Sequence, residues 1–154
     1  MKTNVLTVLV LLGMAAWRNA DAEEPEHRFG AGLIVGEPTG ASLKYFFNDK
    51  FAVDGLLGQS FQHDNDFYIH SDVLYHIDLF KLDEGRLPIF FGVGLRGRFD
   101  DGREDSAGVR VPAGVSYMFD RIPVDVFFEV APIFDFTPKS RTDYSVGVGA
   151  RYWF

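Results

Sequence analysis

The chain has 154 residues, 22 acidic against 15 basic side chains, a net charge of −7 and no cysteine. That balance excludes a nucleic-acid binder, whose footprint for phosphates is a basic patch, and the absent thiols exclude disulfides and a lipid-modified N-terminal cysteine. The length suits one domain, and 16 Phe with 16 Gly fit close-packed strands with an aromatic exterior better than a helical core.

From the N-terminus, Lys2 supplies a positive n-region, Val5 to Ala16 an apolar run, and Ala20-Asp21-Ala22 an A-x-A cleavage site. These are the parts of a secretory signal peptide. A membrane-spanning helix needs about 20 apolar residues, and the run stops at Trp17-Arg18. Residues 1–22 are therefore read as a cleaved signal, 23–27 as a short tail and 28–154 as the folded domain. Cleavage leaves 132 residues with a net charge of about −8.

Beyond the signal the apolar positions recur with a period of two, the mark of strands half-buried in a sheet. Strands are expected near Arg28 to Gly36, Gly40 to Phe47, Phe51 to Phe61, Phe67 to Phe80, Leu87 to Phe99, Ala107 to Phe119, Val124 to Phe136 and Tyr144 to Phe154. The breaks EPTG, NDK, QHDND, KLDEGR, DDGREDS, DRIP and TPKSRTD carry the Gly, Pro, Asn and Asp of turns and are hairpin length. The fold class is all-β: an eight-stranded antiparallel up-and-down barrel, the smallest closed bacterial kind. Pro112 and Pro132 lie inside the sixth and seventh strands, where each removes a ladder donor, and bulges are expected there.

One face of these strands carries Leu43, Tyr45, Val53, Leu57, Val73, Tyr75, Phe91, Val93, Leu95, Val111, Val115, Tyr117, Val126, Phe128, Val130, Val146 and Val148, without a charge. The other carries Lys44, Asp54, His70, Asp72, His76, Asp78, Arg96, Arg98, Arg110, Asp125, Glu129, Asp135 and Arg151. A soluble barrel would turn the apolar face inward. Aromatic strand ends at Phe47, Phe51, Phe61, Phe67, Phe99, Phe119, Phe136 and Phe154 read as interfacial girdles and select the transmembrane arrangement, with the charges enclosed.

Five bases and six acids, counting Lys44, Arg96, Arg98, Arg110 and Arg151 against Asp54, Asp72, Asp78, Asp125, Glu129 and Asp135, make the interior nearly neutral. Eight strands leave a bore that side chains fill, so mutual ion pairs are expected in place of an open channel. A three-residue turn at Asn48 to Lys50 sets Lys44 opposite Asp54, and a symmetric loop from Thr137 to Asp143 sets Glu129 opposite Arg151. Across DDGREDS, Arg96 and Arg110 face each other and need an acid from a neighbouring strand, with Asp72 and Glu129 nearest. His70 and His76 are six residues apart, roughly 20 Å along a strand, and share no metal ion. The acidic tips at 63–66 and 100–105 lack the D-x-[DN]-x-[DN]-G spacing of a calcium loop and read as solvated turns.

With this plan in view, the chain resembles the eight-stranded outer-membrane barrels of the OmpA transmembrane-domain type. The resemblance includes their C-terminal assembly signal, carried here by Gly149, Tyr152 and Phe154, with Gly147 where a polar residue is usual. The segment Gly30 to Phe46 (GAGLIVGEPTGASLKYF) is similar to the opening hairpin of a family of small uncharacterised outer-membrane barrels known from spirochaetes and other bacteria. The resemblance implies an outer-membrane location with both termini periplasmic, and outer-membrane lipids and the barrel-assembly machinery as partners. It brings no activity. Lipid A deacylases of the same strand number carry a lipid-facing His and Ser two residues apart, and no H-x-S pair occurs here. The expectation is a monomeric, non-enzymatic barrel without cofactor or metal, structural or engaged in surface interaction. A narrow pore is the second reading and a lipid-modifying enzyme the third.

Overall fold

The computed structural model describes residues 28–154 apart from 62–65 and 103. Residues 1–22, read as a signal peptide, the 23–27 stretch and most of the acidic tip at 63–66 lie outside the described residues. Nine strand segments run in chain order: β1 Phe29–Glu37, β2 Thr39–Phe46, β3 Phe51–Ser60, β4 Asp66–Leu82, β5 Gly85–Phe99, β6 Ser106–Arg110, β7 Ala113–Phe119, β8 Val124–Thr137 and β9 Arg141–Trp153. Apart from β6 and β7, which do not pair with each other, sequence neighbours pair antiparallel, and β1 pairs with β9 to close the ring. Segments β6 and β7 are two halves of one barrel strand, both lying between β5 and β8. The barrel therefore has eight strands in an up-and-down meander.

The split falls at Val111-Pro112 and replaces the bulge expected there. Arg110 faces Gly94 and Ala113 faces Phe91, so the register on either side of Pro112 is the same and no residue is inserted. What is lost is a donor: Gly92 N donates to Pro112 O and Val111 N to Pro132 O, but neither proline has an N–H to return. Pro132 likewise stays in register, opposite Tyr144. The irregularities fall elsewhere, at Leu79 in β4 and Phe136 in β8. The β4–β5 hairpin is also taller than the KLDEGR break suggests, turning on Asp83-Glu84 alone.

Cross-strand partners form a rising row. From Gly30 the row runs through Lys44, Asp54, Asp72, Gly94, Arg110 and Ile133 to Asp143. Continued through the β1–β9 register, it returns about ten residues above its start, the stagger that accompanies tilted strands. Lys44, Asp54, Asp72 and, one step beyond Gly94, Arg110 thereby lie on one row.

The side chains alternate as the sequence dictates. Leu33, Val35, Leu57, Val73, Val93, Leu95, Val146 and Val148 are exposed on the outer face, while Ile34, Leu56, Leu74, Phe127 and Ile133 are buried within. Rings of exposed aromatics mark both ends: Phe29, Phe47, Phe51, Phe119 and Phe154 beside the termini, and Phe61, Phe67, Phe99, Phe136 and Tyr144 at the opposite end. Phe154 N donates to Phe29 O at 2.7 Å, which brings the two ends of the barrel domain together at one rim.

Val93 and Val130 are 55% and 37% exposed on this outer face. Arg at either position is expected to cost about 2 to 4 kcal/mol in a bilayer, measured by urea unfolding in lipid vesicles. Tolerance equal to that of Arg at the exposed turn residue Asp101 would contradict the face assignment.

Candidate functional site

The enclosed lumen is the site, and it is filled in layers. Nearest the termini, Trp153, Phe46 and His76 form an aromatic floor, with ring centroids 5.3 Å apart for Phe46–Trp153 and 4.7 Å for Phe46–His76. Strict alternation places Trp153 inside, between the outward Tyr152 and Phe154. Phe90 extends the floor 5.6 Å from His76. These inward aromatics were readable from the same period that fixed the charges, since each shares parity with a lumen charge on its own strand.

Above the floor Arg151 grips Asp125, Nε to Oδ1 at 3.2 Å and Nη2 to Oδ2 at 2.9 Å, and Trp153 Nε1 adds a bond to Asp125 Oδ1 at 3.1 Å. This is the fork-to-fork geometry in which arginine binds a carboxylate most strongly. Its guanidinium also lies 3.8 Å over the Phe127 ring. The expected Glu129–Arg151 pair does not form, because the β8–β9 hairpin centres on Pro138 and not on Ser140: Asp125 faces Arg151, and Glu129 faces Gly147.

Arg110 occupies the middle at 0% exposure. It bonds Glu129, lies 3.0 Å from Asp72 Oδ2, and contacts Tyr68 Oη at 3.3 Å and His70 Nδ1. The two acids are those the sequence pointed to as nearest. The arginines themselves do not face each other: Arg110 is opposite Gly94 and Arg96 opposite Gly108, because the hairpin between β5 and β6 centres one residue earlier than a symmetric DDGREDS loop would. Glycine there has a steric reason, since a Cβ on Gly94 would collide with Asp72 and one on Gly108 with Asp135.

At the far end Arg96 bonds Asp135 and reaches Asp143 at 3.4 Å. Arg98, part-exposed at the rim, lies 3.4 Å from Asp66 and 3.6 Å from Asp143. Glu37 bonds Ser60 and the Phe61 N–H. Glu37, Asp66 and Asp143 were absent from the sequence-derived set, since they sit in segments read as turns. Asp78 leaves that set: it lies beyond the floor, exposed, in a surface pair with Arg86 at 3.5 Å. Lys44 does stand opposite Asp54, yet among the described residues its Nζ has no carboxylate within ion-pair distance, and it lies over the Phe90 ring at 4.5 Å.

A cavity among Tyr68, Arg96, Ile133 and Ser145 holds about 10 Å³, room for one water at most. A larger opening of about 670 Å³ lies at the other end, lined by Lys81, Arg86, Arg121 and Trp153 among others. The His70–Asp72 contact, Nε2 to Oδ2 at 3.6 Å, joins two buried side chains.

Of the C-terminal residues, Tyr152 and Phe154 are outward neighbours with rings 5.0 Å apart. Gly149 faces inward against Phe127, and Gly147 against Ile34. A side chain at Gly147 would strike Ile34 Cδ1 at 2.5 Å, which accounts for glycine in place of a polar residue.

No protein-family model and no curated protein matches the chain. Among solved structures it is similar to the N-terminal β-barrel domain of Pseudomonas aeruginosa OprF, with a TM-score of 0.62 and 15% identity, over 85% of this chain and all of that one. Neisserial surface protein A superposes with a TM-score of 0.42 and 19% identity over 82% of this chain and 93% of its own. Ail, the attachment invasion locus protein of Yersinia pestis, does so with a TM-score of 0.36 and 19% identity over the same shares. The chain has the fold of a small eight-stranded outer-membrane barrel, as the OprF domain has it.

Proposed function

We propose that the chain is a non-enzymatic integral protein of the outer membrane, a monomeric barrel with a plugged lumen and a structural or surface-interaction role. The observation that carries this reading is Arg110: fully buried at mid-lumen, it ties β4 and β8 together through Asp72, His70, Tyr68 and Glu129. A conducting path needs a continuous column of water, and charges hydrated by it would not require one another. Here the charges are packed against one another and against an aromatic floor. The same packing argues against catalysis at His70 and Asp72, since a substrate has no route to them except through the plug.

An uncharged outer face between two aromatic rings fits a hydrocarbon layer, and outer-membrane lipids are its partners. Export through the signal peptide and insertion by the barrel-assembly machinery, through Gly149, Tyr152 and Phe154, would leave both termini in the periplasm. In that orientation Pro38 and Ser140 lie in outside turns, and Asn48 and Arg121 in periplasmic ones. Cysteine placed at Thr39 or Ser140 should react with an impermeant maleimide on intact cells, while cysteine at Asn48 or Arg121 should not. Labelling of the second pair would reverse the orientation.

The plug is tested through Asp125 and Arg151, a pair that shares no partner with another cation. Removing one member strands a buried charge, so Asp125→Ala is expected to destabilise by about 3 to 5 kcal/mol, and replacing both by apolar residues of similar volume should recover most of it. Urea unfolding of both singles and the double in lipid vesicles gives the coupling energy. A coupling near zero, with measurable conductance of the parent protein in a planar bilayer, would select the pore.

A further inference from the structure

Charge in the sealed middle of the lumen does not balance. Between the aromatic floor and the Arg96 layer lie three bases, Lys44, Arg110 and Arg151, and four acids, Asp54, Asp72, Asp125 and Glu129, all buried. Arg151 is committed to Asp125 by two bonds. Arg110 is bonded to Glu129 and stands at ion-pair distance from Asp72 Oδ2 without a hydrogen bond to it. Lys44 stays over Phe90. Asp54 Oδ1 and both oxygens of Asp72 are left, buried and without a hydrogen-bond partner among the described residues.

These two carboxyls are not scattered. Asp54 and Asp72 are directly opposite in the β3–β4 ladder and both point inward, where like charges facing each other repel. Asp54, His70 and Asp72 bring potential ligand atoms within 4.8 Å of one another. His70, however, is already committed. Arg110 can only donate, so His70 Nδ1 accepts from it, and the ring hydrogen sits on Nε2, towards Asp72. That tautomer has no lone pair left for a transition metal. The other charged groups around the pair are Lys44 from β2, Arg110 from β6, Glu129 from β8 and Arg151 from β9, with Asp125 near Lys44 and His76 on β4 in contact with Lys50 O at 3.4 Å.

We infer that Asp54 and Asp72 hold one small cation between their free oxygens, a single positive charge supplied by a monovalent metal ion or by a proton. The inference rests on the sealed-lumen reading, since hydrated carboxylates would need no such partner. Oxygen ligands suit a hard cation. One unit of positive charge completes the balance of the layer, and the directly opposed register supplies both ligands from adjacent strands.

The test uses the full barrel refolded in lipid vesicles, with the urea midpoint as readout. Sodium is exchanged for tetramethylammonium at constant ionic strength and pH 7, and separately pH is raised from 7 to 9 in tetramethylammonium alone. The parent midpoint should fall in the first arm if a metal ion is held, or in the second if a proton is. In Asp54→Asn, which removes the excess charge, both responses should vanish with no loss of stability relative to the parent at pH 7. Asp54→Ser repeats the comparison should the amide fold poorly. A parent insensitive to both arms, or an Asp54→Asn variant as sensitive as the parent, overturns the inference. Conductance of the same preparation separates the two levels: a conducting parent removes the sealed lumen itself, whereas a closed barrel with no cation response removes this site alone.

Discussion

Closing eight tilted strands on themselves fixes a bore that only side chains can fill, and every other feature of the lumen answers to that limit. Anything placed inside must be satisfied by something else inside. Leu56, Leu74, Phe127 and Ile133 meet this by burying apolar surface, and Arg151 and Asp125 meet it by bonding each other along with Trp153. Where the bore is too narrow for two facing side chains, one of them is glycine, as at Gly94 against Asp72 and Gly108 against Asp135. The glycine content and the charge content are thus two sides of one packing problem.

Strand existence and facing were legible because both follow from a period of two, which any eleven-residue window displays. Val93 and Arg96 fall on opposite faces whatever the turns do. Pairing was harder to read, because register depends on where each hairpin turns, and an error of one residue at the centre moves every partner by two. The three-residue Asn48 to Lys50 turn was read correctly, and Lys44 faces Asp54. The hairpin after β8 turns two residues earlier than a symmetric loop, so Asp125 stands where Glu129 was expected. Asp78 misled for a related reason: the alternation continues past the floor, and nothing in the sequence marks where lumen gives way to solvent.

Pro112 shows a different limit. Sequence reasoning treats a proline in a closed ladder as a defect needing an inserted residue, because the missing donor has no edge to occupy. The barrel instead keeps its register and forgoes the bonds, while Gly92 N and Val111 N still donate across the gap. A bulge at this position would have turned every side chain from Ala113 to Phe119 to the other face. Ser116 would then lie outside and Tyr117 inside. Preserving alternation over a whole strand half outweighs a local ladder bond, each of which contributes only about 1 kcal/mol net.

The choice of cations follows from the same geometry. Arg96, Arg110 and Arg151 each reach carboxylates on a strand other than their own, with more than one nitrogen engaged. A planar guanidinium can do so because its donors leave in several fixed directions. Lys44, the one buried lysine among the described residues, carries a compact charge that reaches none of their carboxylates and settles over aromatic rings. Arginine therefore does the cross-bore bracing, and the layer containing Lys44 is the one in which two acids, Asp54 and Asp72, retain unbonded oxygens. Replacing Lys44 by arginine would lengthen the reach of that charge toward Asp54. The position of Lys44 and the position of the unsatisfied acid pair are thus one consequence of how far each kind of cation extends from its own strand.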